Sequence, residues 1–369
     1  MMRKLSLLSL SLVLLLVVLP VAAQAEPVMI ETGFTGPRAE FSPDGRWIAV
    51  LEDASFAAAM EEVPTRDNTA IELYDAATGE LVTSLTGAND FVASLLFTPD
   101  GTQLLGLGAN GVLLTWDTAS GELLSAARTP LLGTRTPLFW HPRTGELIAA
   151  AQNTSHTSYV HLGSISGALS LLVSNPSFVT YGDWRALQDE RTSRIFNDIL
   201  VVPAPHSDAL AELPLTGDEV WTVDVQGQVA LLSLGTGALQ VLREGSDTPT
   251  LDIRDLVVTE SGLVSFAIAR DDTLYVYDLT NGNETGIAIE SPTALLSPDG
   301  AQVAQYNDEA TALLLTDVAG RAVQKVALPD GLTTQRPLMR LRFSPDGSQL
   351  LVAGLLNADE QGVIAIYGL

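Results

Sequence analysis

Short runs of β-branched, aromatic and aliphatic residues alternate along this chain with compact polar turns, and one turn recurs nearly unchanged. Its copies are Phe41-Ser-Pro-Asp-Gly45, Phe97-Thr-Pro-Asp-Gly101, Leu296-Ser-Pro-Asp-Gly300 and Phe343-Ser-Pro-Asp-Gly347. Runs of this composition suit the half-buried surface of a β-sheet, and tight turns favour Asp and Gly because Asp accepts local N–H groups and Gly adopts positive φ. The pattern predicts an all-β chain built from a repeated hairpin unit, whose copies must pack on each other to bury a core.

A second turn, of the form Asp-x-x-x-Gly, follows in register with the first. Its copies are 75–79, 117–121 and 278–282, with degenerate copies at 163–167, 233–237 and 317–320. Two turns of fixed order in each unit fit a sheet of antiparallel strands joined by short connections.

The turn glycines give the length of the repeat. First-turn glycines fall at 45, 101, 145, 217, 262, 300 and 347, and second-turn glycines at 79, 121, 167, 237, 282 and 320. Most steps are near the roughly 40–45 residues of a four-stranded propeller blade. Both series stretch at the same place, after 145 and after 167, and the extra chain is short for a whole blade. We therefore predict seven blades with an insertion at about 175–207; eight blades with one degenerate copy is the alternative.

These units resemble the WD40 family of β-propellers over nearly all of the chain. Trp116-Asp117 matches the dipeptide that names the family, and Tyr74-Asp75 and Tyr277-Asp278 are common variants of it. The Gly-His pair usual near the start of a blade is absent, since 86–90 reads TGAND, and the chain has only four His. The resemblance implies a divergent, bacterial-type WD40-like propeller, and a fold of this kind does not by itself decide the function.

The two ends of the chain are predicted to complete one blade together. The last run, 363–368, has the character of a third strand with none after it, and 28–34 offers the missing fourth strand. Pairing them removes an open sheet edge. Deletion of 26–35 is therefore expected to destabilise the whole ring.

The first 25 residues have the three parts of a secretory signal peptide. Arg3 and Lys4 precede an apolar stretch from Leu5 to Leu19, and 23–25 (AQA) is a small-residue cleavage site. The alternative, an uncleaved anchor, is disfavoured because the apolar stretch is short for a span and is followed by Pro20. The chain has no Cys, which excludes a lipoprotein signal and disulfides. We expect an exported protein, periplasmic or extracellular, whose residues 26–369 form a single propeller domain.

The charge of the chain excludes one class of partner. The formal net charge is −25, and it becomes −27 when Arg3 and Lys4 leave with the signal peptide. Phosphate backbones would be repelled by this charge, so nucleic acid is not an expected partner. Strong acidity favours solubility. We expect no membrane span after cleavage of the signal peptide, and we expect the propeller to be monomeric.

Two long departures from the repeat point to a binding surface. The loop 55–68 lies between a second and a third predicted strand, and the insertion 175–207 lies between blades, which places both on the face opposite the SPDG turns. Loops that lengthen on one side of a rigid scaffold commonly form binding surfaces. The predicted partner-binding residues are acidic or basic side chains and one Trp: Glu61, Glu62, Arg66, Trp184, Arg185, Arg191 and Arg194. We expect a non-enzymatic module that binds a protein through this face.

The alternative function is a propeller hydrolase or lactonase. It would use carboxylates at the central channel, with a divalent cation such as calcium, and acidic pairs are frequent in the second-to-third-strand connections, starting with Glu52 and Asp53. The sequence contains no G-x-S-x-G, H-E-x-x-H, P-loop or Rossmann motif, and no loop has EF-hand spacing. We therefore assign no catalytic, cofactor-binding or metal-binding residue.

Overall fold

A computed structural model describes the chain from residue 26 onward, with gaps. The described residues are 26–53, 57, 62–65, 67–128, 138–140, 146–152, 157–164, 178–180, 200–203, 219–223, 229–233, 239–244, 253–259, 263–268, 272–278, 280–291, 293–318, 322–333, 340–356 and 361–369. The predicted signal peptide, 1–25, lies outside them. Strands dominate the described residues, of which only Ala57 is helical.

The described strands group into seven antiparallel sheets. The first described strand is β1 (Val28–Glu31), and sheet 1 then contains β2 (Pro37–Phe41), β3 (Trp47–Glu52), β4 (Ile71–Asp75) and β5 (Leu81–Leu85). Sheet 2 contains β6 (Val92–Phe97), β7 (Gln103–Gly108), β8 (Val112–Asp117) and β9 (Leu123–Arg128). Sheet 3 contains β10 (Leu138–Trp140), β11 (Glu146–Gln152), β12 (Thr157–Ser164) and β13 (Phe178–Thr180).

The next three sheets repeat this order. Sheet 4 contains β14 (Leu200–Pro203), β15 (Glu219–Val223), β16 (Val229–Ser233) and β17 (Leu239–Arg243). Sheet 5 contains β18 (Ile253–Val258), β19 (Leu263–Ile268), β20 (Thr273–Asp278) and β21 (Asn283–Ala288). Sheet 6 contains β22 (Ala294–Leu296), β23 (Gln302–Tyr306), β24 (Ala312–Asp317) and β25 (Ala322–Ala327).

Sheet 7 joins the two ends of the described chain. It contains β26 (Leu332–Thr333), β27 (Arg340–Phe343), β28 (Gln349–Leu356) and β29 (Gln361–Gly368), and β1 is its last strand. β1 pairs antiparallel with β29, from Val28 opposite Ile366 to Glu31 opposite Val363. The segment that precedes sheet 1 in the sequence therefore belongs to sheet 7.

The Asp residues of both repeated turns hold the turns themselves. In the first copy, Ser42 Oγ donates to Asp44 Oδ1 over 2.5 Å, and the backbone N–H groups of Arg46 and Trp47 donate to Asp44 and Ser42. The same pattern of bonds recurs around Asp100, Asp299 and Asp346. In the second turn, Asp75 Oδ1 accepts the N–H groups of Ala77 and Thr78. These carboxylates serve the backbone, and the bonds they accept lower their pKa.

Neighbouring SPDG turns lie against each other. A Cβ added to Gly45 would lie 3.8 Å from Pro345 Cδ, and one added to Gly101 would lie 3.7 Å from the Asp44 carboxylate. One added to Gly347 would lie 3.7 Å from Pro298 Cδ. Each of these glycines has φ near +70°, a conformation that L side chains rarely adopt. The SPDG turns of sheets 6, 7, 1 and 2 thus form a continuous row in which each turn packs against the next.

The strand that leads into the first turn, which we call the leading strand of each sheet, contacts the leading strands of the neighbouring sheets. These strands are β2, β6, β10, β14, β18, β22 and β27, and successive members touch from β6 to β27 and from β27 back to β2. The circuit is completed between β2 and β6, where Arg38 Nη1 donates to the carbonyl oxygen of Ala93 over 3.0 Å.

The hydrophobic core lies between consecutive sheets. Trp116 of β8 is fully buried between sheets 1 and 2, where its Nε1 donates to the carbonyl oxygen of Thr86 over 2.8 Å. Tyr306 of β23 is likewise buried between sheets 6 and 7. Burial on both faces of a sheet explains the near-continuous apolar runs of the middle strands. Because the leading strands contact one another in a closed series, they form the inner wall of the circuit.

Candidate functional site

Charged side chains of the leading strands meet where sheet 7 lies beside sheet 1. In the SPDG-type units, the residues one and three positions before the turn motif are Glu40 and Arg38 on β2, and Arg342 and Arg340 on β27. In the other two SPDG-type units these positions are uncharged. They are Leu96 and Ser94 in sheet 2, and Leu295 and Thr293 at the start of sheet 6. Arg38 and Arg340 occupy equivalent positions in their units, as do Glu40 and Arg342. Because β2 and β27 lie side by side, the fold brings these four residues together.

These four residues and Asp53 form a cluster, which we call the arginine cluster. Arg38 donates from Nε and Nη2 to Glu40 Oε1 over 3.3 and 3.2 Å, and Arg342 donates from Nε to Glu40 Oε2 over 3.3 Å. Arg340 Nη2 donates to Asp53 Oδ2. Asp53 follows β3, and its backbone N–H donates to the carbonyl oxygen of Gly36. The cluster therefore joins sheets 7 and 1 and extends from the turn end of the leading strands to their opposite end.

The charges of the arginine cluster act on each other. Burial alone would raise the pKa of Glu40, but the attraction of Arg342, Arg38 and Arg340 outweighs it and holds the pKa below its ordinary value. Burial lowers the pKa of Arg340, and repulsion from Arg38 and Arg342 adds to this effect while Asp53 opposes it. Among the described residues, three guanidinium groups thus share two carboxylates in this cluster.

A cavity of about 490 Å³ opens at the turn end of β2, β6 and β10. Aromatic rings, prolines and leucines line it together with one carboxylate: Phe41, Phe97, Trp140, Pro43, Pro99, Leu95, Leu96 and Glu40. Trp140 Nε1 donates to the carbonyl oxygen of Phe97 over 2.8 Å, which fixes the indole and leaves its ring at the cavity. Since Glu40 is paired with two arginines, the cavity offers an apolar surface with no free charge of its own.

A second carboxyl group is buried at the end of β3. Glu52 is 2% exposed, its Oε2 accepts the backbone N–H of Thr35 over 2.8 Å, and its Oε1 has no hydrogen-bond partner. Glu62 lies nearby and accepts the Thr35 hydroxyl over 2.7 Å. Burial raises the pKa of Glu52 to about 7; the charge of Glu62 adds to the rise, and hydrogen bonds from Thr35 and Gly36 partly offset it. This carboxyl group changes its charge near neutral pH.

Comparisons with known proteins identify the architecture. No protein-family model and no curated protein matches the chain. Among solved structures, the β-propeller domain of Cps50 (Swd1) from Myceliophteria thermophila is similar, with a TM-score of 0.61 and 13% sequence identity over 94% of this chain and 99% of that domain. The fold is a β-propeller. The all-β propeller predicted from the turn repeats is confirmed, and at this identity the similarity concerns the fold alone.

Of the seven predicted partner-binding residues, the structure describes Glu62. Glu62 binds Thr35 and so ties the loop 55–68 to the connection between β1 and β2. The other six residues lie outside the described part of the chain: Glu61, Arg66, Trp184, Arg185, Arg191 and Arg194. Of the insertion predicted at 175–207, 178–180 is β13 and 200–203 is β14, and the residues between them are not described. The structure thus leaves the predicted surface as a prediction.

Sequence reasoning missed the arginine cluster and the cavity, although both have a signal in the repeats. Aligning the units on their SPDG turns shows Arg or Glu before the motif only in the first and last copies, and an aromatic residue as the last residue of β2, β6 and β10.

The described part of the propeller has neither a metal-binding cluster nor a membrane-spanning helix. No three His, Asp or Glu side chains converge there into a group that could hold a metal ion. No described helix is long and apolar enough to cross a membrane.

Proposed function

We propose that the protein is an exported, seven-bladed, WD40-like propeller of bacterial type that binds a protein partner and has no enzymatic activity. The seven sheets support the blade number, and the pairing of β1 with β29 supports ring closure by the N-terminal strand. The composition of 1–25 supports export to the periplasm or beyond the cell. The strong negative charge supports a soluble monomer.

The observation that carries this proposal is the cavity beside Trp140. Its walls are apolar and aromatic, and hot spots of protein interfaces are enriched in Trp that is partly covered by apolar neighbours. None of its eight lining residues is a Ser, Cys, His or Lys, so the surface favours binding of an apolar segment over covalent chemistry. The loops 55–68 and 175–207 offer a second surface to the same partner on the opposite face.

Replacement of the cavity Trp tests the proposal. We expect Trp140→Ala to weaken binding of the partner by about tenfold or more, since truncation of a hot-spot Trp commonly costs on the order of 2 kcal/mol. The protein would be cross-linked and captured from the envelope of the exporting cell, and the affinity of each retained partner would be measured with purified proteins. Trp47→Ala is the matched control, because Trp47 is also half-buried but packs beside Arg46, away from the cavity.

Two results would contradict this function. One is a partner held equally well by wild-type protein and Trp140→Ala, with both variants folded by circular dichroism. The other is turnover of an ester or lactone that chelators abolish, which would favour the propeller hydrolase instead.

A further inference from the structure

Thr35 joins two carboxyl groups that belong to different parts of the chain. It lies in the connection from β1 to β2, and its backbone N–H donates to Glu52 Oε2 over 2.8 Å. Its hydroxyl donates to Glu62 Oε1 over 2.7 Å and lies 3.4 Å from the same Glu52 oxygen. We call these three contacts the Thr35 bridge. The bridge ties Glu62, in the loop 55–68, to the connection that leads from the N-terminal strand into sheet 1.

The Thr35 bridge lies next to a point where the same loop packs on the neighbouring sheet. Ala57 is fully buried against Phe91 and Ala93, at the start of sheet 2. The carbonyl oxygen of Ala57 accepts the N–H of Glu62 over 2.9 Å. Glu62 is thus held through its backbone by Ala57 and through its side chain by Thr35. Loss of the bridge leaves the packing of Ala57 in place, so its expected effect is local.

Among the described residues, Glu62 is the charged group that faces Glu52 across the bridge. The connection 32–36 contains no ionisable residue, and the residues of β2 and β29 that meet this end, a proline and a glycine, are uncharged. Asp53 follows Glu52, and its carboxylate binds Arg340. Burial raises the pKa of Glu52 to about 7, and the charge of Glu62 adds to the rise. Ionisation therefore places a charge on a buried group whose Oε1 accepts no hydrogen bond from the described residues.

The single hydrogen of the Thr35 hydroxyl makes the bridge sensitive to the charge of Glu52. A hydroxyl group has one hydrogen, so it can donate to only one of the two carboxyl groups at a time. While Glu52 is protonated, the carboxylate of Glu62 is the stronger acceptor and holds this hydrogen. When Glu52 gives its proton to water, the two carboxylates compete for the hydrogen and repel each other. Glu62 is the less buried of the two, so it is the group that moves away.

We infer that the Thr35 bridge attaches the Glu62 end of the loop to the β1–β2 connection only while Glu52 is protonated, and that ionisation of Glu52 releases it. Release lets solvent reach Glu52, so its pKa falls towards the ordinary value of 4.5. The attached form thus binds the proton more tightly, and attachment weakens as pH rises towards about 7. The loop belongs to the surface proposed above, but its attachment is measurable without a partner, so the inference stands or fails separately.

Hydrogen exchange of the full mature protein tests the inference. Deuterium uptake by peptides that span 57–65 would be measured at pH 5.5 and pH 8.5, and each rate would be corrected for the intrinsic exchange rate at that pH. We expect protection of 57–65 to fall about tenfold between the two pH values, as loss of a hydrogen bond to a charged group allows. The connection 109–111 has the same place in sheet 2 and contains no acidic residue, so it should keep its protection.

Two variants separate the bridge from a general effect of pH. Glu52→Gln removes the charge but keeps the size of the side chain, so protection of 57–65 should stay at its pH 5.5 level up to pH 8.5. Thr35→Val removes the hydroxyl and keeps the backbone N–H, so protection should be low at both pH values. Thr285→Val, at an exposed residue of β21, is the matched control and should leave the pH dependence of the wild-type protein unaltered.

The inference is overturned if the wild-type protein protects 57–65 equally at both pH values, or if folded Glu52→Gln loses protection as the wild-type protein does. An equal loss at 109–111 would also contradict it, because the whole protein would then open at high pH. Wild-type pH dependence in Thr35→Val would show that the hydroxyl does not transmit the charge of Glu52 to the loop.

Discussion

Replacing Gly362 with alanine is expected to destabilise the protein by about 3 kcal/mol, the upper part of the range for overpacked cores. Gly362 lies in β29, where its N–H donates to the carbonyl oxygen of Phe34, and its own carbonyl accepts the N–H and hydroxyl of Thr32. A Cβ at this position would lie within 3.0 Å of Phe34 O, Thr32 Oγ1 and Pro37 Cδ. Two of these atoms belong to backbone or proline, so they cannot turn away.

The loss should affect the whole protein, because the displaced segment connects two sheets. Phe34 is 3% exposed and packs with Ile30, Ile48 and Ile364 between sheets 7 and 1. Moving it would loosen β1 from β29 and expose an open edge of sheet 7. Urea unfolding measures the effect as a lower midpoint at unchanged slope.

Gly368→Ala is the matched control for this prediction. Gly368 ends the same strand, and a Cβ added there would meet no atom within 4 Å. Its replacement should change the free energy of unfolding by a few tenths of a kcal/mol. Equal stability of the Gly362→Ala and Gly368→Ala proteins would show that the connection from β1 to β2 does not support the ring.

Replacing Glu52 with glutamine is expected to stabilise the protein at alkaline pH and to have little effect in acid. In the folded protein the pKa of Glu52 is about 7, against an ordinary value of 4.5, so the folded state binds this proton more tightly than the unfolded state. The contribution of Glu52 to stability therefore falls as pH rises from about 4.5 to about 7, and it stays low above that. Its full size is about 3 kcal/mol, because each pKa unit corresponds to about 1.4 kcal/mol.

The difference between wild-type and variant stability, measured at several pH values, isolates this group from the other carboxylates. Glu52→Gln should be more stable by an amount that approaches about 3 kcal/mol at pH 8.5 and vanishes near pH 4.5. Glu122→Gln, at an exposed residue that follows a turn, is the matched control for the change of side chain. A difference that is independent of pH would mean that Glu52 is not a buried acid in solution.

The repeats made the fold class predictable, and the physical reason is local. Each SPDG turn holds itself through bonds such as Ser42 Oγ to Asp44 Oδ1, and each turn glycine needs its positive φ wherever the unit lies in space. A motif that closes its own hydrogen bonds can be identified without knowledge of the neighbouring units. The same logic identified the Asp residues as turn formers, which the bonds of Asp44 and Asp75 confirm.

The candidate sites could not be predicted in the same way, because each depends on side chains from distant parts of the chain. Arg340 and Asp53 are separated by 287 positions, and Trp140 and Phe41 line the same cavity only because β6 lies between β2 and β10. The repeats give the position of Arg340, Phe41 and Trp140 within their units, but they do not show which side chains meet in space. Burial likewise decides the chemistry of Glu52, whose place in the sequence gives no sign that its carboxyl group is buried with Oε1 unpaired.

The sequence by itself determined the strands, the turns and their repetition, since backbone preferences and apolar runs act over a few residues. The tertiary structure alone decided which charges meet. Closing the circuit placed the last leading strand beside the first, and this brought Arg340 and Arg342 to Arg38, Glu40 and Asp53. Electrostatic and packing energies depend on distance in space, so the interactions among these five charged residues arise only where the two ends of the chain join.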